Sequence, residues 1–326
     1  MLSRVFKQDL ENITGSPCLS WDAFRGATVL VTGATGQLGG ALVHALSAAH
    51  GRHGLGMAIM AHGRNAEKGQ ALAALPGVTF VPGDVRRPFP PGLLPGTLTH
   101  VFHCAGITRS ADMVARPAEV MDTAFRGTWH VLELARHAQS QSVVNLSSME
   151  VYGAMEKPTA TEADLGYLDL SSPRTAYPEG KRMCECLCNA FFAQHGVPVK
   201  SARLAQTFGA GTSPQDPRVF AQFARSARSG GPIVLHTQGS SFGNYCYMAD
   251  AVEALLVLLV KGANGTAYNV ANPAAGMTVR DMAQLVATKV AKVPVPVVVD
   301  VPPRLAEKGY AADAFARLDT AKIEAL

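Results

Sequence analysis

Tyr177-Pro178-Glu179-Gly180-Lys181 sets a phenol and an ammonium four residues apart, a spacing that brings both onto one face of a helix. Pro178 is compatible with that helix because it falls in the first turn, where its missing N–H costs nothing. A nearby ammonium favours the phenolate, so the pair reads as a general base with a pKa drawn below the usual ~10. Upstream, Leu146-Ser147-Ser148-Met149-Glu150-Val151-Tyr152-Gly153 has the form of a strand running out into a loop. Ser148 offers a hydroxyl that can bond the same substrate oxygen as Tyr177. Glu150, two residues further on, is expected to face the substrate, where a carboxylate can take a proton from carbon beside a carbonyl.

These groups need a scaffold, and Thr32-Gly33-Ala34-Thr35-Gly36-Gln37-Leu38-Gly39 shows which one. It follows the apolar run Ala27-Thr28-Val29-Leu30-Val31 and opens a helix predicted over Gln37 to Ala49. Gly33 permits the tight turn, Gly36 lets phosphates approach the backbone, and Gly39 lets helix and strand pack closely. The helix then points its free N–H groups and positive dipole end at an anion. Strand, glycine turn and helix in that order form a dinucleotide pyrophosphate site.

Short apolar strands alternate with helical patterns through the first two hundred residues. Val29 to Thr32, Met57 to Ala61, Val78 to Val81, His100 to Cys104, Ser142 to Ser147 and Ser201 to Thr207 are the predicted strands. That alternation implies an α/β fold with a doubly wound parallel sheet. Pro88 to Gly92 and Gly209 to Pro214 read as loops. Beyond the second loop come a helix near Val219 to Ser229, a strand Pro232 to His236 and a helix Thr278 to Val290, forming a smaller lobe. Pro294 and Pro296 confine Val293 to Val301 to a sheet edge.

Two more positions suit a dinucleotide. Asp84, in Gly83-Asp84-Val85 after the third strand, can accept a hydrogen bond from an adenine amino group. After the second strand, where a ribose-binding acid is expected, the chain reads Met60-Ala61-His62-Gly63-Arg64-Asn65. Arg64 can instead pair with a 2′-phosphate, which leans from NAD toward NADP.

The 326 residues, 48% of them hydrophobic, can bury a large core. The net charge of +4 is scattered, without the basic stripe of a nucleic-acid binder. The first dozen residues include Lys7, Asp9 and Glu11 and lack the apolar core of a signal peptide. Ala254 to Val260 is the longest apolar run, too short to span a membrane and suited to a buried helix. Six cysteines in a chain of this length form no disulfide framework and point to a reducing cytoplasm. Cys184, Cys186 and Cys188 do not read as metal ligands, since a helix turns Cys186 away from the other two and no metal is expected.

Taken together, Thr32 to Gly39, Asp84-Val85, His103-Cys104-Ala105-Gly106, Gly127-Thr128, Ser148 with Val151-Tyr152-Gly153, Tyr177 with Lys181, and Arg203 to Gly209 resemble the extended short-chain dehydrogenase/reductases of the NAD-dependent epimerase/dehydratase family. The resemblance implies a Rossmann-type domain over 23–208 with a return of 244–272, preceded by an extension over 1–22. Residues 209–243 and 273–326 would form the substrate lobe. It implies NAD or NADP held by Gly33, Thr35, Gly36, Gln37, Leu38, Gly39, Arg64, Asp84, Val85, Cys104, Ala105, Gly106, Tyr177 and Lys181. The implied substrate is a nucleoside-diphosphate sugar contacted by Gln206, Arg218, Val219 and Asn244, and a homodimer is expected.

By the same resemblance Tyr177 takes the proton of the sugar C4 hydroxyl while hydride passes to the nicotinamide. Lys181 binds the nicotinamide ribose, and Ser148 steadies the oxygen. Ser148-Met149-Glu150 is similar to the Thr-Asp-Glu of nucleotide-sugar 4,6-dehydratases and to the Thr-Ser-Glu of UDP-glucuronate decarboxylases, sharing the glutamate with both. Met149 stands where the dehydratases carry their aspartic acid. Gly243 stands where the decarboxylases place an arginine, Ala124 where the family's helix usually has Asn, and Gln206 where Asn is usual. Two other functions fit the scaffold: an NADP-dependent reductase of a non-sugar carbonyl, and a dinucleotide-binding sensor without catalysis.

Overall fold

The computed structural model describes residues 2–90, 92, 97–301 and 317–326. Pro91 of the proline-rich loop and residues 302–316 of the expected second lobe lie outside the described residues.

The N-terminal half runs α1 (Arg4–Thr14), β1 (Thr28–Thr32), α2 (Gln37–His53), β2 (Ala58–Gly63), α3 (Ala66–Ala73), β3 (Val78–Pro82), β4 (His100–His103), α4 (Ser110–Ala115), α5 (Pro117–His137) and β5 (Ser142–Ser148). It continues through β6 (Thr159–Ala160), α6 (Ala176–His195), β7 (Val199–Leu204), β8 (Gln206–Phe208), α7 (Val219–Ser229) and β9 (Ile233–Leu235). The remainder is β10 (Phe242–Tyr247), α8 (Met248–Lys261), β11 (Ala267–Val270), β12 (Asn272–Thr278), α9 (Val279–Leu285), β13 (Val297–Val299), β14 (Arg317–Leu318) and α10 (Ala321–Glu324).

Seven parallel strands form the central sheet in the order β11-β7-β5-β4-β1-β2-β3. Helices cover both faces, so β1 and β5 are buried along their whole length, as expected of a parallel sheet wrapped on two sides. The chain winds outward from β1 through β2 and β3, then restarts at β4 and winds the other way. The crevice between the ends of β1 and β4 is the topological switch point where such sheets bind ligands. Ala254–Val260 lies in α8, whose Leu255, Leu256, Leu258 and Leu259 are buried. Among the described residues no helix is long and apolar enough to cross a membrane.

The expected strand Ser201–Thr207 is divided at Ala205. Its first part, β7, stays in the central sheet, while β8 leaves it to pair with β10, Gln206 opposite Tyr245. β8, β10 and β12 make a three-stranded sheet, and β9 pairs with β13. Phe220, Phe223, Ile233, Tyr245 and Met282 form a separate apolar cluster there, giving the smaller lobe its own core. The helix expected through Val290 is α-helical only to Leu285 and finishes in a π turn, Val286–Val290.

Three histidines are buried in or beside the sheet: His62, His100 and His103. Burial lowers their pKa values to about 4, about 4 and about 3. An unfolded chain therefore binds protons below pH ~6.5 that the folded chain refuses, and stability present at neutral pH is lost as pH falls. Melting temperature should drop between about pH 7 and about pH 5. His62→Phe, which keeps a ring against Phe89 where the centroids stand 5.1 Å apart, should flatten that drop. An identical slope in wild type and variant would contradict it.

Candidate active site

The glycine turn is built as its sequence requires. Gly33 has φ +66°, and a Cβ there would stand 2.8 Å from the Ala105 backbone; one on Gly39 would stand 2.4 Å from the Gly33 carbonyl oxygen. Neither position admits a side chain, so β1, the β4 end and α2 converge with backbone exposed between them. The N-terminus of α2 has no side-chain cap, which leaves its first N–H groups available to an anion. These features fit a dinucleotide pyrophosphate.

Beside the turn, Arg64, Arg86, Gly106, Arg109 and Thr123 line a cleft of about 310 Å³. Arg64 is exposed at its rim. Asp84, expected to receive an adenine amino group, is already engaged. Arg86 donates from Nη2 at 2.7 Å and from Nε at 3.1 Å to both oxygens, and from its backbone N–H at 3.0 Å. These bonds hold the Asp84 pKa down at about 2. An adenine amino group at Asp84 would have to share the carboxylate with Arg86, a residue that the sequence did not single out.

At the carboxyl end of β5, Ser148 and Tyr177 come together, with the Ser148 hydroxyl near enough to favour the phenolate. Ser148 Oγ also accepts from the Glu150 N–H at 3.2 Å, which fixes the hydroxyl. Lys181 lies one turn along α6, its Nζ 5.9 Å from the Tyr177 ring centroid and donating to the Leu146 carbonyl at 2.6 Å. A Cβ on Gly106 would be 3.8 Å from that Nζ, so the ammonium reaches the loop after β4.

The expected depression of the tyrosine pKa is corrected by the structure. In the protein alone burial pushes the Tyr177 phenol above its ordinary value, and the Glu150 charge pushes the same way; the Ser148 hydroxyl and the Arg174 charge oppose them. Lys181 is half-buried, and desolvation lowers its own pKa; the influences on the phenol come from burial, Glu150, Ser148 and Arg174. The phenolate has to be favoured by what binds in the site.

A buried network sets the register of these groups. Glu185, two turns beyond Tyr177 on α6, accepts from Ser147 Oγ at 2.5 Å and from Arg203 Nε and Nη2 at 3.0 and 2.8 Å. Arg203 also bonds the Tyr152 hydroxyl at 3.0 Å, and that hydroxyl donates to Asn269 at 2.5 Å. Removing one partner of such a pair would leave an uncompensated buried charge, typically ~3–5 kcal/mol of destabilisation.

The remaining expectations divide. Glu150 does lie beside Tyr177, but its carboxylate is ion-paired with Arg174 at 2.8 Å. Arg174 was missed, although a position three residues before Tyr177 in a helical run shares its face. Arg218 does not stand free for substrate: it bonds Asp216, the Thr207 carbonyl at 3.0 Å and the Gln37 side chain. Gln37 also donates to Thr212 at 2.7 Å, so the turn and the smaller lobe are tied together. Val219 opens α7, and Gln206 is exposed on β8. Asn244 is buried, and its Oδ1 accepts from the Leu318 N–H at 3.0 Å; it anchors β14 and does not line the cleft. Cys184 and Cys188 are buried and Cys186 exposed, as helical spacing requires.

Residues 29–271 match the model of the NAD dependent epimerase/dehydratase family. The chain belongs to that family. Within it, the UDP-glucuronic acid decarboxylase 1 of Danio rerio is 30% identical over 191 residues, 59% of this chain and 45% of that protein. The chain spans about half the length of the curated relatives it matches. The dTDP-glucose 4,6-dehydratase DesIV from Streptomyces venezuelae, solved with NAD and TYD bound, is similar at TM-score 0.73 and 23% identity, covering 91% of this chain and 90% of that one. The UDP-N-acetylglucosamine 4-epimerase from Methanobrevibacter ruminantium M1 is similar at TM-score 0.77 and 18% identity, with 92% and 91% covered. The doubly wound sheet, the glycine turn and the Ser148, Tyr177, Lys181 set thus stand in an extended short-chain dehydrogenase/reductase fold.

Proposed function

We propose that this family member acts on a nucleoside-diphosphate sugar through a transient 4-keto intermediate. The observation that carries the reading is the grouping of Ser148 with Tyr177 and of Lys181 one turn along the helix, its Nζ 5.9 Å from the Tyr177 ring centroid, set next to a turn shaped for pyrophosphate. Gly33, Gly36, Gln37, Leu38 and Gly39 would hold the dinucleotide, with Lys181 at its nicotinamide ribose. A nicotinamide held by these residues would supply a reversible hydride acceptor for C4.

Ser148 donates to the C4 oxygen and orients it. Tyr177 accepts the hydroxyl proton as the C4–H bond breaks, leaving a ketone. The ketone acidifies the C5 hydrogen and makes a C6 carboxylate a β-keto acid, so water or carbon dioxide can leave, or C4 can be reduced from the other face. Glu150 is the carboxylate placed to move the proton at carbon. The decarboxylase relatives support the carboxylate branch. Incubating the protein and NAD with UDP-, dTDP-, GDP- and CDP-sugars and weighing the products separates the outcomes; unchanged sugar in every case would overturn the reading. A homodimer in a reducing compartment belongs to the same proposal, supported by Met121, Phe125 and Trp129, exposed at four-residue spacing on α5, and by cysteines that are all free.

A second reading, an NADP-dependent reductase of a non-sugar carbonyl, draws on Arg64 and Arg86 at the cleft. If Arg64 pairs with a 2′-phosphate, Arg64→Ala should weaken NADP by ~1–3 kcal/mol and leave NAD unchanged. Equal binding of both dinucleotides by the wild type would exclude that role.

A further inference from the structure

Arg174 is placed unlike a surface arginine. It sits on the short turn Pro173–Thr175 that leads into α6, with its guanidinium carbon 5.9 Å from the Tyr177 ring centroid and its side chain only 19% exposed. Nη2 is spent on Glu150, 2.9 Å from one oxygen and 2.8 Å from the other. Nε and Nη1, the donors on either side of it, are shielded from solvent and have no partner among the described residues. An unpaired buried donor is costly, and more so when it carries charge. Two such donors on one guanidinium beside the reacting tyrosine are a charged edge that lacks its acceptor.

The acceptor follows from the placement. This step rests on the nucleotide-sugar reading, in which Tyr177 meets the C4 hydroxyl. The C3 hydroxyl and the C5 substituent are then the neighbours of the reacting carbon, whereas the diphosphate hangs from C1 on the far side of the ring. A group beside Tyr177 and Glu150 therefore meets one of these two before it meets phosphate, and of the two only the C5 substituent can carry a negative charge. Glu150 alone would repel an anion there, and Arg174 neutralises it while keeping N–H groups in reserve.

We propose that Arg174 is a specificity-determining residue that binds the carboxylate of an acidic sugar at C5. Guanidinium suits a carboxylate because it offers planar, charge-assisted donors. A neutral hydroxymethyl group offers a single oxygen without charge and leaves the guanidinium charge unanswered.

The test is calorimetric titration of the NAD-loaded protein with UDP-glucuronate and with UDP-glucose, for wild type, Arg174→Gln and Arg174→Lys. Wild type should bind the acidic sugar about tenfold tighter or more, and Arg174→Gln should lose at least about tenfold on it and under about threefold on the neutral one. Arg174→Lys, which keeps the charge, should retain part of the preference. Equal losses on both sugars, or an undiminished preference in Arg174→Gln, would overturn the proposal while leaving the nucleotide-sugar reading in place. Failure of the wild type to bind either sugar would overturn that reading itself. NAD binding and melting temperature, read on the same samples, establish that each variant is folded.

Discussion

Tyr177→Phe should cut turnover by ~10²-fold or more while leaving the fold and NAD binding nearly unchanged. The substitution removes one hydroxyl and keeps the ring, which packs against Met113, Val120 and Ile107, so no cavity opens. What is lost is the proton acceptor beside the Ser148 hydroxyl. Because burial already holds the phenol above its ordinary pKa, the wild type should also gain activity as pH is raised from neutral, since the base must lose a proton to work. Turnover by initial rate, with melting temperature on the same sample, checks both parts. Unchanged turnover would remove Tyr177 from the mechanism.

Glu150→Gln has the second largest expected effect, and its outcome depends on the branch taken. Gln can still accept from Arg174 Nη2, so the turn after β5 and the turn before α6 should stay joined. If Glu150 moves a proton at carbon, the first oxidation proceeds through Ser148 and Tyr177 and the reaction then stalls. Reduced cofactor should accumulate, visible by its near-ultraviolet absorbance, with overall turnover down by ~10²-fold or more. Normal turnover without that absorbance would show that Glu150 serves only to hold Arg174, as in simple C4 epimerisation.

The central fold was legible because its signals are local and periodic. Val29 to Thr32 reads as a strand from its apolar run, and Gly33 and Gly39 as turn and contact glycines from their spacing; the structure gives each the geometry its type predicts. Ser148, Tyr177 and Lys181 were equally open to reading, because helical spacing alone puts Tyr177 near Lys181. The electrostatics were not legible. Whether Lys181 lowers the tyrosine pKa depends on burial of both groups, a property of the packed whole. Asp84 and Asn244 show the same limit: each has the right side chain for a ligand, and each is partly or wholly occupied by Arg86 or by the Leu318 backbone. Those partners are set by loop conformation and by strand pairing across 74 residues. Arg174 was missed for a related reason, since an arginine at a helix entrance usually faces water, and only the packing around it shows two donors without acceptors.

The transfer of hydride from C4 is the claim on which the whole account stands, and isotope transfer tests it directly. The NAD-loaded protein is mixed with UDP-glucuronate or UDP-glucose deuterated at C4, quenched during turnover, and the released cofactor weighed. The account predicts deuterium in the nicotinamide while product is forming, with the label raised further in Glu150→Gln. Product formed with no deuterium ever reaching the cofactor would contradict it.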